Sequence, residues 1–437
     1  MFLTRRFYIV LAAITIVTAL GFAFPPLFGV GKFMLLLLAA ALLADILMLF
    51  HKKGITARRD CADRFSNGDD NTIRIIISNS FALRLSAIII DEAPIIFQRR
   101  NIKYHLPLPA KTTSETSYSL RPVVRGTYHF GRLRIFVRTP LTLVERRYTQ
   151  AEEKEVKVYP SFLMLNHYEL LAMSNNLLEM GIKRIRRVGN NTEFEQIKAY
   201  VPGDEYRTIN WKASARRHEL MVNVYRDERS QRIYSVIDKG RVMQQAFDKM
   251  TLLDYSINAA LVLSHIAIRK DDKAGLITFA EKVDTMLAPS SRPTQMQHIL
   301  EALYAEQTSF GETDFSALCT NINRSISKRS LLILYTNFSG LGSLHRQLAY
   351  LKLLNNRHRL LVVFFEDAEL QTYISSDKQT TEDYYRHVIA EKFAYEQRLI
   401  VSTLQQHGIL SLLTTPKNLS VDVINKYIEL KQRQILS

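Results

Sequence analysis

Arg232-Ile233-Tyr234-Ser235-Val236-Ile237-Asp238-Lys239-Gly240-Arg241-Val242 is the stretch whose reading settles the architecture. Its first half is almost wholly apolar and stops at an acid and a glycine. A strand that is apolar on both faces has to be covered on both faces, as parallel strands are. Similar runs recur at Ala274–Ala280, Leu331–Tyr335, Leu360–Phe365 and Ile409–Leu413. Helical spacing fits the intervening segments Gln244–Ile268, Pro293–Glu306, Asp314–Ile326, Leu344–Asn355, Asp383–Gln406 and Val421–Arg433. This alternation predicts a doubly wound, mostly parallel α/β domain over residues 231–437, with Glu281–Leu287 as an antiparallel edge strand.

Just upstream, residues 202–216 place Asp204, Glu205, Arg207, Lys212, Arg216 and the only tryptophan, Trp211, in one turn and one short helix. Asp204 is placed to cap that helix. Arg207 and Trp211 are four apart, so a shared helical face would let the guanidinium stack on the indole. Thr192 and Glu195 have the spacing of a capping box, which predicts a helix from Glu193 to about Tyr200. A strand at Leu220–Tyr225 follows. Two readings stay open: a capped surface helix with Trp211 as its core anchor, or an electrostatic constellation that meets a partner. Residues 151–230 form the connecting segment, with a further helix expected at Leu163–Glu179. The basic run Lys183–Arg187 lacks interleaved aromatics, so it suits anionic lipid or an acidic partner better than nucleic acid.

Residues 54–150 change period. Ile73, Ile75 and Ile77 alternate with Arg74 and Ser78, and Leu133, Ile135 and Val137 with Arg134 and Arg138. Short strands between turn clusters such as Ser66-Asn67-Gly68-Asp69-Asp70 predict an all-β, immunoglobulin-like sandwich.

Residues 1–53 carry two apolar runs, Phe7–Phe24 and Phe33–Phe50, the second interrupted only by Asp45. Each is about long enough to cross a bilayer as a helix, and Pro25, Pro26, Gly29 and Gly31 are expected to turn the chain between them. Arg5 and Arg6 precede the first run, and His51, Lys52, Lys53, Arg58 and Arg59 follow the second, against Lys32 alone in the turn. The asymmetry predicts a transmembrane hairpin in the inner (cytoplasmic) membrane, with both termini and the soluble domains in the cytoplasm. A cleaved signal peptide is the competing reading, but no clear small-x-small site is present and a second apolar run follows at once. Asp45, within two turns of Lys52, is expected to reach the interface.

The net charge of +16 over 437 residues favours anionic partners. Cys61 and Cys319 stand alone, which fits a reducing compartment and disfavours a disulfide framework or zinc site.

Several motifs together resemble a known bacterial family, the one catalogued as domain of unknown function fifty-eight. They are Thr192-Glu193-Phe194-Glu195, Tyr200-Val201-Pro202-Gly203-Asp204-Glu205-Tyr206-Arg207 and Ile209-Asn210-Trp211-Lys212-Ala213-Ser214-Ala215-Arg216, with Arg125-Gly126-x-Tyr128 and Pro140-Leu141 at the end of the β region. Thr139 stands where such proteins usually carry an acid. The resemblance implies a membrane hairpin, a β-rich domain and a domain similar to von Willebrand factor type A. It also implies partnership with a MoxR-type AAA+ ATPase in assembling or remodelling proteins.

Type A domains commonly hold Mg²⁺ through Asp-x-Ser-x-Ser, a later Thr and a later Asp. Here those positions read Asp238, Gly240, Val242, Thr313 and Asn337. Two hydroxyls and one carboxylate are missing, Lys239 and Arg241 add positive charge, and no metal is expected. Gly240 also stands where a haloacid-dehalogenase phosphatase needs its second carboxylate. No phosphate-binding loop with Lys-Ser/Thr and no Gly-x-Ser-x-Gly elbow occurs. The chain therefore reads as a non-enzymatic, cofactor-free, membrane-anchored adaptor for partner proteins. The alternatives are an enzyme with acid/base groups around Asp204 and Glu205, or a receptor for an anionic ligand or lipid.

Overall fold

A computed structural model describes residues 1–52, 54–97, 103–150, 153–162, 193–202, 204, 206–226, 230–377 and 380–433. The expected helix at Leu163–Glu179, the basic run Lys183–Arg187, Thr192 and Glu205 lie outside these residues. The chain divides into two units, Met1–Tyr159 and Pro160–Ser437.

The first unit opens with β1 (Phe2–Leu3), α1 (Arg5–Leu20) and α2 (Pro25–Phe50). Pro25 and Pro26 do not break the chain as expected; they begin α2, because the first helical turn needs no partner for its N–H groups. Gly29 and Gly31 then lie inside the helix. A side chain at Gly31 would collide with Thr18, so the missing Cβ lets α1 and α2 approach closely. At 26 residues, roughly 39 Å, α2 is long and apolar enough to cross a membrane. With 16 residues, roughly 24 Å, α1 is shorter. Exposed apolar side chains surround both helices, among them Ile9, Ile16, Phe28, Phe33, Leu36 and Leu47.

The strands that follow are β2 (Ile55–Asp60), β3 (Arg64–Ser66), β4 (Asn71–Asn79), β5 (Leu85–Asp91), β6 (Lys103–Leu108), β7 (Thr113–Leu120), β8 (Gly126–Phe130), β9 (Leu133–Arg138), β10 (Val144–Gln150) and β11 (Lys154–Tyr159). They form sheets ordered β1-β10-β9-β5-β6, β2-β4-β7 and β3-β11-β8. The alternation read from the sequence holds: Ile73, Ile75, Ile77, Leu133, Ile135 and Val137 all point into one shared core. Pairing of β11 with β3 and β8 carries the strand network on to Tyr159.

Asp45 corrects another expectation. It is fully buried instead of reaching outward. Its carboxylate accepts the Thr139 hydroxyl and the backbone N–H groups of Leu143 (3.0 Å) and Val144 (2.8 Å). The start of α1 meets the same loop, with Thr4 N–H donating to Leu143 O at 3.1 Å and Arg6 to Thr142 Oγ1 at 2.9 Å. Beyond α2, Arg146 donates to Lys52 O at 2.9 Å and lies over the Phe50 ring. The two outer ends of the helix pair thus rest on one end of the β layers.

The second unit begins with β12 (Glu193–Ala199), α3 (Trp211–Arg217) and β13 (Met221–Arg226). The helix expected from Glu193 is a strand instead. A ladder to β13, bulged between Phe194 and Gln196, overrides the local capping pattern. Next come β14 (Arg232–Asp238), the small hairpin β15 (Ala246–Phe247) and β16 (Met250–Thr251), and α4 (Leu252–Arg269). Asp248 and Lys249 turn that hairpin with positive φ, so α4 starts later than expected from Gln244, with Thr251 as its cap.

The remaining elements are β17 (Lys273–Phe279), β18 (Val283–Ser290), α5 (Thr294–Ala305), α6 (Phe315–Ser325), β19 (Leu331–Tyr335), α7 (Leu341–Arg357), β20 (Arg359–Phe365), α8 (Ala368–Ser375), α9 (Thr381–Gln406), β21 (Leu410–Thr414) and α10 (Leu419–Gln432). The sheet order is β18-β17-β14-β19-β20-β21, parallel except for the edge strand β18. Residues alternate across it. Ile233 and Ile237 enter the core beneath α4 and α10, while Tyr234 and Val236 enter the one beneath α6, α7 and α9. Full cover on both faces explains the near-continuous apolar strands.

Candidate functional site

Two places in the second unit gather the chemistry singled out above. The first is the carboxyl end of β14. Asp238 is fully buried; its Oδ1 accepts Gly240 N–H at 2.8 Å and Thr313 Oγ1–H at 2.7 Å, and its Oδ2 accepts Thr336 Oγ1–H at 2.6 Å. Burial pushes the carboxyl above its ordinary range, and the three donors act in the opposite sense. A side chain at Gly240 would collide with the Thr313 hydroxyl, so the glycine is what lets Thr313 reach Asp238.

Asp238, Gly240 and Thr313, three of the positions that the resemblance to type A domains singled out, lie together, whereas two others do not join them. Val242 packs against the apolar core, and the Asn337 side-chain oxygen accepts the N–H of Phe338 at 3.0 Å. Thr336, one residue before Asn337, supplies the hydroxyl that sequence reading missed. Its only signal was its place just after a strand adjacent to β14.

Lys239 corrects the expected repulsion. It is buried, and its Nζ donates to Glu306 at 2.6 Å, pairs with Asp284 at 2.7 Å and reaches Gln307 O at 3.2 Å. Glu306 also accepts the Thr278 and Thr285 hydroxyls, each at 2.6 Å. Burial disfavours the ammonium, but Asp284 and Glu306 outweigh it and hold its pKa above the ordinary lysine value. Its charge is thus spent on carboxylates of the same unit; of the two bases expected to repel a cation here, Arg241 is the exposed one.

These donors do not fit Mg²⁺. The ion wants about six hard oxygens, and here one carboxylate with two hydroxyls faces inward with its lone pairs engaged by protein donors. Among the described residues no group of three His, Cys, Asp or Glu is arranged to hold a metal.

The second place is α3. Asn210, not Asp204, caps it, accepting Ala213 N–H at 3.0 Å. Asn210 also donates to Asn223 at 2.8 Å and, through its backbone N–H, to Met221 O at 2.8 Å. Ser214 Oγ donates to Asn210 O and accepts Met221 N–H, both at 2.9 Å. The inner side of α3 is in this way sewn to β13 by short polar groups. Asp204 instead accepts Lys198 Nζ at 2.9 Å and Val201 N–H at 3.0 Å, and the Lys198 hydrogen bond leads in holding its carboxyl below the ordinary range.

Trp211 does not anchor a core; it is 70% exposed. Arg207 belongs to a separate turn, Tyr206–Thr208, so the four-residue helical spacing to Trp211 does not apply. No cation stacks on the indole among the described residues. Arg207, Lys212 and Arg216 are all exposed, as are Ala215 and Arg217. Among the described residues, then, Asp204, Arg207, Trp211, Lys212 and Arg216 form no closed network.

Both places fall within residues 196–375, the segment that matches the family described as "Protein of unknown function DUF58", the same family that the motifs resemble. A curated relative is the "Uncharacterized protein YeaD" of Bacillus subtilis (strain 168), 24% identical over 174 residues, or 39% of this chain and 41% of the relative. The chain therefore spans about two-fifths of that relative's length. Among solved structures, the CARDB domain of the PF1109 protein from Pyrococcus furiosus aligns with 24% of this chain and 91% of its own, at 13% identity and a TM-score of 0.19. The conserved hypothetical protein BatB from Bacteroides thetaiotaomicron aligns with 47% of this chain and 100% of its own, at 12% identity and a TM-score of 0.30.

Proposed function

We propose that the protein is a membrane-anchored, non-enzymatic adaptor that presents a von Willebrand factor A-like domain to partner proteins, among them a MoxR-type AAA+ ATPase. The observation that carries this reading is the outward face of α3: the family motif's Trp211, Arg207, Lys212 and Arg216 are exposed on a firmly held helix. Residues kept only for packing would be turned inward. The sheet order, with one antiparallel edge strand and Asp238 at the carboxyl end of a central strand, supports the type A-like fold. The layered β unit likewise supports the immunoglobulin-like reading.

Anchoring is supported by α2 and by the apolar side chains around both helices, a distribution suited to lipid. Both outer helix ends rest on the loop 139–144, which supports a two-span hairpin with its ends on one side of the inner membrane. Asp204 is tied to Lys198 and to Val201 N–H, so acid/base chemistry there is disfavoured.

The test is recovery of the AAA+ ATPase with the full chain from native membranes. Carbonate washing should leave the protein in the membrane pellet. The Arg207→Ala/Trp211→Ala pair should keep its abundance there and recover at least tenfold less ATPase. Unchanged recovery, or release of the chain by carbonate, would refute the adaptor reading.

A further inference from the structure

Lys212 and Arg216 are one helical turn apart on α3, and so are Trp211 and Ala215; side chains at that spacing stand about 5–6 Å apart at Cβ. All four are exposed, whereas Ala213 is half-buried and Ser214 turns toward β13. The helix thus presents two parallel rows, one of cations and one in which a broad indole is followed by a methyl-sized notch. Arg207, in the turn before α3, and Arg217, its last residue, are exposed as well. None of these four cations forms an ion pair with a described residue, the exposed Glu219 just past α3 included, and Asp204 is paired with Lys198.

From this we infer that the outer face of α3 is a docking seat for an acidic helical segment of another protein. Two carboxylates one turn apart on that segment would meet Lys212 and Arg216, and an apolar side chain beside them would lie over Ala215 against Trp211. Charge complementarity names the partner: a basic row that no described residue pairs calls for acids. Three of the four cations are arginines, whose planar fork binds a carboxylate through two parallel bonds. A lipid headgroup layer attracts lysine and arginine alike and makes no use of the row spacing. Attachment of α3 to β13 fixes the face before binding, which lowers the ordering cost of capture. The inference rests on the adaptor reading and assigns its contact a chemistry.

Trp211 is the chain's only tryptophan, so its emission reports on the seat directly. The full chain in neutral detergent micelles is titrated with a helical peptide of about 15 residues, long enough to hold helical structure. The peptide has no aromatics, two glutamates one turn apart and a flanking leucine. A saturable blue shift is expected, weakening at least tenfold between low and high salt. The same peptide with its glutamates two residues apart should bind at least fivefold more weakly. Lys212→Glu/Arg216→Glu should abolish the shift, and Ala215→Gln, which fills the notch and keeps every charge, should weaken it with an unchanged circular dichroism spectrum. No shift, equal shifts for the two spacings, or a shift produced only by phosphatidylserine vesicles would overturn the inference. ATPase recovery from membranes is a separate readout, so each reading can fail without the other.

Discussion

The carboxyl end of β14 and the outer face of α3 look alike as strings of letters. Each sets acids and bases around one distinctive residue, Asp238 in one and Trp211 in the other. In three dimensions they are opposites. At the strand end Asp238 and Lys239 are turned inward and answered: Asp238 by two hydroxyls and an N–H, Lys239 by two carboxylates. On α3 the charges are turned outward and await an answer from outside the described chain. The difference teaches that a charged motif is part of the structural core where its hydrogen bonds are complete, and a solvent-facing surface where they are left unmade.

Substitutions sharpen that contrast, because the first place should govern stability and the second only association. Lys239→Met should have the largest effect. It strands Glu306 and Asp284 without their cation, and removing one partner of a buried pair costs about 3–5 kcal/mol. A fall in the denaturant midpoint would register it; an unchanged midpoint would mean the pair is not held as described.

Asp238→Ala follows, leaving three donors unanswered at about 2–4 kcal/mol in total, whereas Asp238→Asn keeps most of the geometry and should cost less. The pH dependence has a definite sign. The folded pKa of Asp238 is raised, so its contribution is fully present below the unfolded value and is lost as pH climbs through the folded one. Wild-type stability relative to Asp238→Asn should therefore fall as pH rises from about 4, the unfolded aspartate value. Parallel melting curves across pH would check it, and a rising difference would contradict it.

Gly240→Ala should rank third, at about 1–3 kcal/mol, by pushing the Thr313 hydroxyl away from Asp238. Suppression by Thr313→Ala in a double-mutant cycle would tie the loss to that contact. Trp211→Ala should be smallest, within about 0.5 kcal/mol, as befits an exposed side chain. A loss above about 2 kcal/mol would place the indole in a core after all and erase the contrast.

Much of the fold was legible because burial on two faces forces a visible pattern. The strands of the α/β sheet appear as apolar runs, and the alternation at Ile73–Ile77 marks the core-facing side of β4. What escaped reading has a common cause. Thr192 to Glu195 spells a capping box, yet the backbone from Glu193 onward pairs with β13. Pro25 and Pro26 spell a break, yet they sit where a helix tolerates them. Asp45 and Thr139 are far apart in the chain, and nothing local announces that one accepts the other's hydroxyl. Of the site, Asp238, Gly240 and Thr313 were singled out through the resemblance to type A domains. Thr336, and the inward turn of Lys239, were not.

The amino-acid order by itself determined which segments must be hidden from water, and hence the apolar spans, the layered β unit and the doubly covered sheet. Periodicity carries that information, because burying apolar surface is a local demand on each strand or helix. Only the tertiary structure decided where each polar group finds its partner. Hydrogen bonds and ion pairs need atoms within about 3 Å of one another, and residues such as Asp238 and Thr336 come that close only once the sheet has assembled around them.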